Sequence, residues 1–90
     1  MRRVGQVRRR DTAEMPIVRD LRKLGYTVIF ISGKGAPDVL VISPQRQHHA
    51  GEMKTGKGKL TPAQIEAGAG VLWPVWRTTD DVLATFGAMR

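Results

Sequence analysis

The rhythm of apolar positions changes several times along the chain, and each change marks an element. Ile17, Val18, Leu21 and Leu24 fall at helical spacing with Arg19, Asp20, Arg22 and Lys23 between them, which predicts a helix over 11–24. Asp11 and Glu14 have the spacing of a capping box at its start. Pro16 is comfortable only in a first turn, which moves the start toward Glu14, and Gly25 ends the helix. Tyr26 to Ser32 is β-branched and aromatic, the composition of a buried strand. Gly33-Lys34-Gly35-Ala36 reads as a turn and Pro37 to Ser43 as a second strand. The polar run Pro44 to Gln47 is a hairpin loop, and His48 to Lys54 is a third, less apolar strand. Residues 55–60 form a basic, glycine-containing loop.

Thr61-Pro62-Ala63-Gln64 is a helix start: threonine caps, proline takes the first helical position, and glutamine closes the box. Gly68 and Gly70 weaken that helix and leave its end open. A fourth strand falls within Val71–Arg77, where Pro74 limits pairing. Thr79, Asp80 and Asp81 start a last helix through Val82, Leu83 and Phe86. The expected class is therefore α/β, an α-β-β-β-α-β core with a C-terminal helix and no internal repeat. Residues 1–10, with five arginines, read as a basic arm ahead of a domain over 11–90.

At 90 residues there is room for one small domain, whose modest core invites help from oligomerisation or bound metal. Apolar runs are too short to span a membrane, and the basic start has no secretory apolar stretch behind it. Cysteine is absent, so there is neither a disulfide framework nor a thiolate metal site. These features give a cytoplasmic expectation, the host cytoplasm if the protein is viral. Fifteen Lys and Arg against eight Asp and Glu leave a net charge of +7, which attracts polyanions, nucleic acid first among them.

The candidate chemistry lies in Gly51-Glu52-Met53-Lys54. On a strand Glu52 and Lys54 point the same way, roughly 7 Å apart, and Met53 points to the opposite face. If the second and third strands pair as a hairpin, Asp38 can lie beside Glu52; the short connection supports that pairing and leaves its register open. Two carboxylates so placed repel unless protonated or bridged by a cation. A hard divalent ion relieves this and activates water, and a nearby ammonium stabilises charge on phosphorus, which together are the parts of phosphodiester hydrolysis. The plain alternative is a surface salt bridge between Glu52 and Lys54 on an exposed strand.

Gly35-Ala36-Pro37-Asp38, Glu52-Met53-Lys54 and Gly58-Lys59-Leu60-Thr61-Pro62-Ala63-Gln64 together resemble the PD-(D/E)XK nucleases, in particular the VRR-Nuc type with its small stand-alone bacteriophage members. The resemblance covers about residues 11–82 and implies a restriction-endonuclease-like domain. It implies that Asp38 and Glu52 ligate Mg²⁺ or Mn²⁺ with the backbone carbonyl of Met53, and that Lys54 is the catalytic lysine. Glu14 matches a glutamate on the first helix that adds a ligand directly or through water; its other role is the helix cap. Gln64 matches a glutamine that contacts the site or DNA; its other role is the capping box of Thr61. The chain departs from the family in Ile65–Pro74, which is short and contains glycines, so the second helix and fourth strand stay open, as does completion of this region by a partner chain.

Other signals weigh less. Gly51 to Gly58 nearly spells a phosphate-binding P-loop, but Gly58 replaces the Ser or Thr, and the helix signal waits until Thr61. Lys34, Lys57 and Lys59 are candidate phosphate contacts, as are Arg8, Arg9 and Arg10 of the arm. Adjacent His48 and His49 face opposite ways on a strand and read as ordinary strand-end residues. Trp73 and Trp76 read as core or interface aromatics. The expectation is a metal-dependent DNA endonuclease with no organic cofactor, working as a homodimer and suited to branched DNA such as a four-way junction. Its rivals are a non-catalytic nucleic-acid-binding module and an assembly protein on the same fold.

Overall fold

The computed structural model describes residues 14–33, 35–54 and 58–88, with Glu14 and Met15 described by their backbone alone. The basic arm over 1–10, Asp11, Lys34 and Lys57 lie outside the described residues. Helix α1 spans Glu14–Lys23, which puts Pro16 in the first turn as its ring requires. Ile17, Val18 and Leu21 are buried, but Leu24 is 42% exposed and does not extend the apolar face as expected. The reason is local. Gly25 adopts φ +90°, the Gly25 N–H donates to the Arg22 carbonyl, and the Tyr26 N–H donates to the Leu21 carbonyl, so the chain leaves the helix before Leu24 reaches the core. Tyr26, just beyond the turn, is buried in its place.

Strands β1 (Thr27–Phe30), β2 (Val39–Ile42) and β3 (His48–Met53) form an antiparallel meander. They are shorter than the sequence runs because each run includes its flanking turn. The β2–β3 loop closes on buried Ser43, whose Oγ accepts from the N–H groups of Gln45 and Gln47 at 3.2 and 3.1 Å. Helix α2 (Pro62–Ala67) then returns the chain to β4 (Val75–Trp76), which pairs parallel to β3, and helix α3 (Thr79–Thr85) follows. Thr79 is the first residue of α3, but the cap is Thr78, in a capping box with Asp81, and Phe86 lies just past the helix end. Among the described residues the result is an α/β arrangement of three helices and a four-stranded mixed sheet, order β1-β2-β3-β4. Among the described residues no helix is long and apolar enough to cross a membrane.

The register sorts the two faces of the sheet. Val28 lies opposite Val41, Val39 opposite Gly51, and Met53 opposite Trp76, so these residues share one face. That face packs with Ile17, Val18 and Leu21 of α1 and Val82 and Leu83 of α3 as the core. The Thr79 hydroxyl donates to Asp20 Oδ2 at 2.9 Å and ties α3 to α1. Glu52 and Val75 belong to the opposite face.

Gly51 is required by this packing. A Cβ at Gly51 would stand 2.4–2.6 Å from the six-membered ring of Trp76, which is itself fully buried. A buried aromatic ring cannot yield that distance without moving β3 or β4. Gly51→Ala is expected to destabilise the fold by about 1–3 kcal/mol, the usual cost of overpacking a core. Urea unfolding followed by tryptophan fluorescence measures it; an unchanged midpoint would mean that Trp76 shifts freely.

Candidate active site

Asp38 sits where the β2–β3 ladder ends. Its N–H donates to the Gly51 carbonyl at 3.0 Å, and its carbonyl accepts from Ile31 N–H at 2.8 Å, so its backbone is held by both neighbouring strands. Pro37, immediately before it, has no N–H to carry the ladder further. The Met53 N–H, which would otherwise lack a strand partner, donates to Asp38 Oδ2 at 2.9 Å. The carboxylate of Asp38 thus replaces the missing backbone bond and is fixed in direction by it.

The register that pairs Val39 with Gly51 brings Asp38 alongside Glu52. Glu52 is fully buried, which excludes the exposed surface salt bridge as the reading of this motif. Its Oε2 accepts from Gln64 Nε2 at 2.8 Å, and its Oε1 accepts from Trp73 Nε1 at 3.2 Å. Burial raises its pKa above the ordinary carboxylate range; the Trp73 hydrogen bond opposes that, the charge of Asp38 and a hydrogen bond shared with it add to it, and the charge of Lys54 opposes it.

Gln64 closes the capping box and also touches Glu52. Its Oε1 accepts from the Thr61 N–H at 2.8 Å while its own N–H donates to Thr61 Oγ1 at 3.2 Å, completing the capping box. That bond turns the amide nitrogen toward Glu52. Gly35, in the turn before Asp38, lies against this helix: a Cβ there would stand 3.3 Å from Ala67 Cβ. The turn, the hairpin end and the first turn of α2 therefore converge on the two carboxylates.

Lys54 follows on the Glu52 side of the strand, half-buried, with its backbone N–H on the Trp76 carbonyl at 3.0 Å. The backbones of Glu52 and Lys54 both donate toward the β4 side, so the backbone of Met53 faces the β2 side, where Asp38 stands. The Met53 side chain is buried in the core, as its alternation requires. Lys59 is exposed in the approach to α2. Glu14 opens α1, but its side chain lies outside the described residues, as do Lys34, Lys57, Arg8, Arg9 and Arg10. His49 packs edge-on against Phe86 at 4.6 Å, and His48 is exposed on the strand end. The loop after β3 does not run into a helix at Gly58, since α2 begins at Pro62, which disposes of the P-loop resemblance.

The sequence did not single out Trp73 for this place. It lies two residues before Val75, the register partner of Glu52, so strand alternation puts it on the Glu52 side. That signal is visible only once β4 is known to run parallel to β3 in this register. No family model, curated protein or solved structure matches the chain.

Because the folded-state pKa of Glu52 lies above its unfolded value, the folded protein holds this proton more tightly. Glu52 therefore costs stability progressively as pH rises from the ordinary carboxylate range through its raised pKa, and the cost is complete above it. The difference in melting temperature between Glu52→Gln and wild type, without divalent ions, should grow in favour of the glutamine variant over that interval. A difference that stays constant with pH would show that Glu52 titrates alike folded and unfolded.

Proposed function

We propose that this chain is a Mg²⁺- or Mn²⁺-dependent endonuclease hydrolysing DNA phosphodiester bonds on a restriction-endonuclease-like fold. The observation that supports this most is the meeting of Asp38 with the fully buried Glu52 at one end of a hairpin, with Lys54 on the same side. A fully buried acid beside a half-buried one weakens a fold unless a proton, hydrogen bonds or a cation answer the charge, and a divalent cation answers both acids at once. The element order is also the α-β-β-β-α-β one that the PD-(D/E)XK resemblance implies.

The donor set suits a hard divalent ion. Among the described residues no three His, Cys, Asp or Glu side chains gather, but a magnesium site needs only one or two carboxylates beside its waters. Asp38, Glu52 and the Met53 carbonyl would hold it, with Glu14 a further candidate from α1. When bound, such an ion supplies polarisation of a phosphoryl oxygen and acidification of water. Lys54 stabilises the negative charge that develops on the phosphoryl oxygens and orients the attacking water. Gln64 holds Glu52 in place, and Lys59 meets the phosphate backbone. The net charge of +7 draws the polyanion in and makes binding steeply salt-dependent.

The deciding experiment is cleavage of labelled linear duplex, flap, single-stranded and four-way-junction DNA with Mg²⁺, Mn²⁺ or chelator. Metal-dependent cutting is expected, reduced at least about a hundredfold in Lys54→Ala and Asp38→Ala, the scale of losing a transition-state charge partner. Salt-sensitive binding with no cutting under any condition would instead give the non-catalytic binding module.

The proposal extends to a homodimer. Helix α2 buries none of its residues, and Ile65, Val71 and Leu72 on it and just beyond it are 60%, 85% and 74% exposed. Apolar groups left together at a surface mark an interaction site, and a second copy pairing through them would present two cutting sites to a branched DNA. Sedimentation should give about twice the 10.0 kDa chain mass, and Val71→Glu should return it to monomer. A monomer with full activity would sink this extension.

A further inference from the structure

Two side chains reach Glu52 from the segment between β3 and β4, and they differ in what else they do. Gln64 has a second task, the capping box of α2. Trp73 is half-buried and is not part of the core cluster, whereas Trp76, three residues on, is fully buried in it and donates its indole N–H to Thr85 Oγ1 at 2.8 Å. An indole has one N–H and no acceptor, so its polar contact has a single direction. In Trp73 that N–H is aimed at Glu52 Oε1.

The backbone of Trp73 is itself held. Its carbonyl accepts from the Gly70 N–H at 2.7 Å, and it forms a bridge with Ala69, which is buried. The tight turn after α2 thus presents the ring from a fixed base. With Gln64 on Oε2 and Trp73 on Oε1, both oxygens of one carboxylate are tied by donors from different parts of the chain. A glutamate side chain has several rotatable bonds, and two such ties hold it in one orientation.

We propose that Trp73 is a positioning residue: its indole N–H fixes Oε1 of Glu52 so that Glu52 and Asp38 can share one divalent ion between them. The inference rests on the metal-dependent reading given above and adds to it the residue that sets the ion's affinity. Donors that orient a metal-binding carboxylate typically account for ten- to a hundredfold in affinity. Trp73→Phe keeps most of the ring and removes the N–H. It should weaken Mn²⁺ binding by about tenfold and raise the Mn²⁺ concentration for half-maximal cleavage by the same factor. The cleavage rate at saturating Mn²⁺ should stay near wild type, while the melting temperature without metal falls modestly with the loss of one hydrogen bond to a buried carboxylate. A merely structural role would leave the half-saturating Mn²⁺ concentration of the folded fraction in place.

The test is calorimetric titration of Mn²⁺ into wild type, Trp73→Phe and Asp38→Ala, beside DNA cleavage across the same Mn²⁺ range. A second measurement needs no folded Trp73 variant. The indole N–H of Trp73 in wild-type protein should move on addition of diamagnetic Mg²⁺ in a ¹H–¹⁵N spectrum, while that of Trp76 stays, with Trp76→Phe assigning the two. Mn²⁺ binding unchanged in Trp73→Phe, or a Trp73 resonance indifferent to Mg²⁺, overturns the role of Trp73 and leaves the nuclease reading standing. Mn²⁺ binding as tight in Asp38→Ala as in wild type overturns both, since the ion would then lie elsewhere. Metal binding that weakens in Trp73→Phe while wild type cuts no DNA supports the positioning role and removes the nuclease.

Discussion

A carboxylate with no exposed surface must be answered by hydrogen bonds, by a counter-charge or by a proton, and Glu52 organises much of this protein through that demand. Its two oxygens take the amide of Gln64 and the indole of Trp73. Helix α2 buries no residue of its own, so this acid holds it to the sheet in place of the apolar face that usually fastens a helix. A second acid, Asp38, stands beside the first and adds to the pressure that raises its pKa. Apolar side chains of the same volume would stabilise such a place at least as well. A buried acid in a perturbed electrostatic state is found more often at working sites than elsewhere, and the proposed function draws on that tendency.

The backbone makes this meeting possible by two omissions. Gly51 lacks a side chain, and the ring of Trp76 lies across β3 where a Cβ would be, setting β4 parallel to β3 with Glu52 opposite Val75. Pro37 lacks an N–H, the ladder stops beside it, and the Met53 N–H turns to the Asp38 carboxylate. Each omission lies within two residues of a candidate site residue. Core packing and site geometry are therefore coupled through one strand: Met53 and Gly51 face the core while Glu52 faces the site.

The positive charge and the site serve one purpose in this reading. Acids placed where phosphates must come would repel them, and the excess of Lys and Arg overcomes that at long range while a cation overcomes it locally. Lys54 stands beside the acids for the same reason, close enough to bear on the ionisation of Glu52. The exposed Ile65, Val71 and Leu72 do not fit a solvated face, and they lie on the segment whose two polar ties end at Glu52. A partner covering them would hold the same segment from its other side.

The sequence by itself determined the elements and the pair of strands that carry the acids. Hydrophobic period, proline, glycine and the Thr61–Gln64 capping box are local signals, and they placed α1, three strands, α2 and α3 in the observed order. The short hairpin connection favoured pairing of the strands that carry Asp38 and Glu52 without fixing their register, and alternation put Glu52 and Lys54 on one side. Leu24 was misjudged because helical spacing counts positions without seeing that Gly25 turns the chain away. The tertiary structure alone decided that Glu52 is buried, that Gln64 serves the cap and the carboxylate together, and that Trp73 reaches across to Glu52. Those facts depend on the parallel register of β4 against β3 and on the path of the glycine-containing segment before it. Both are settled by packing between residues far apart in sequence, for which a single chain carries no local signal.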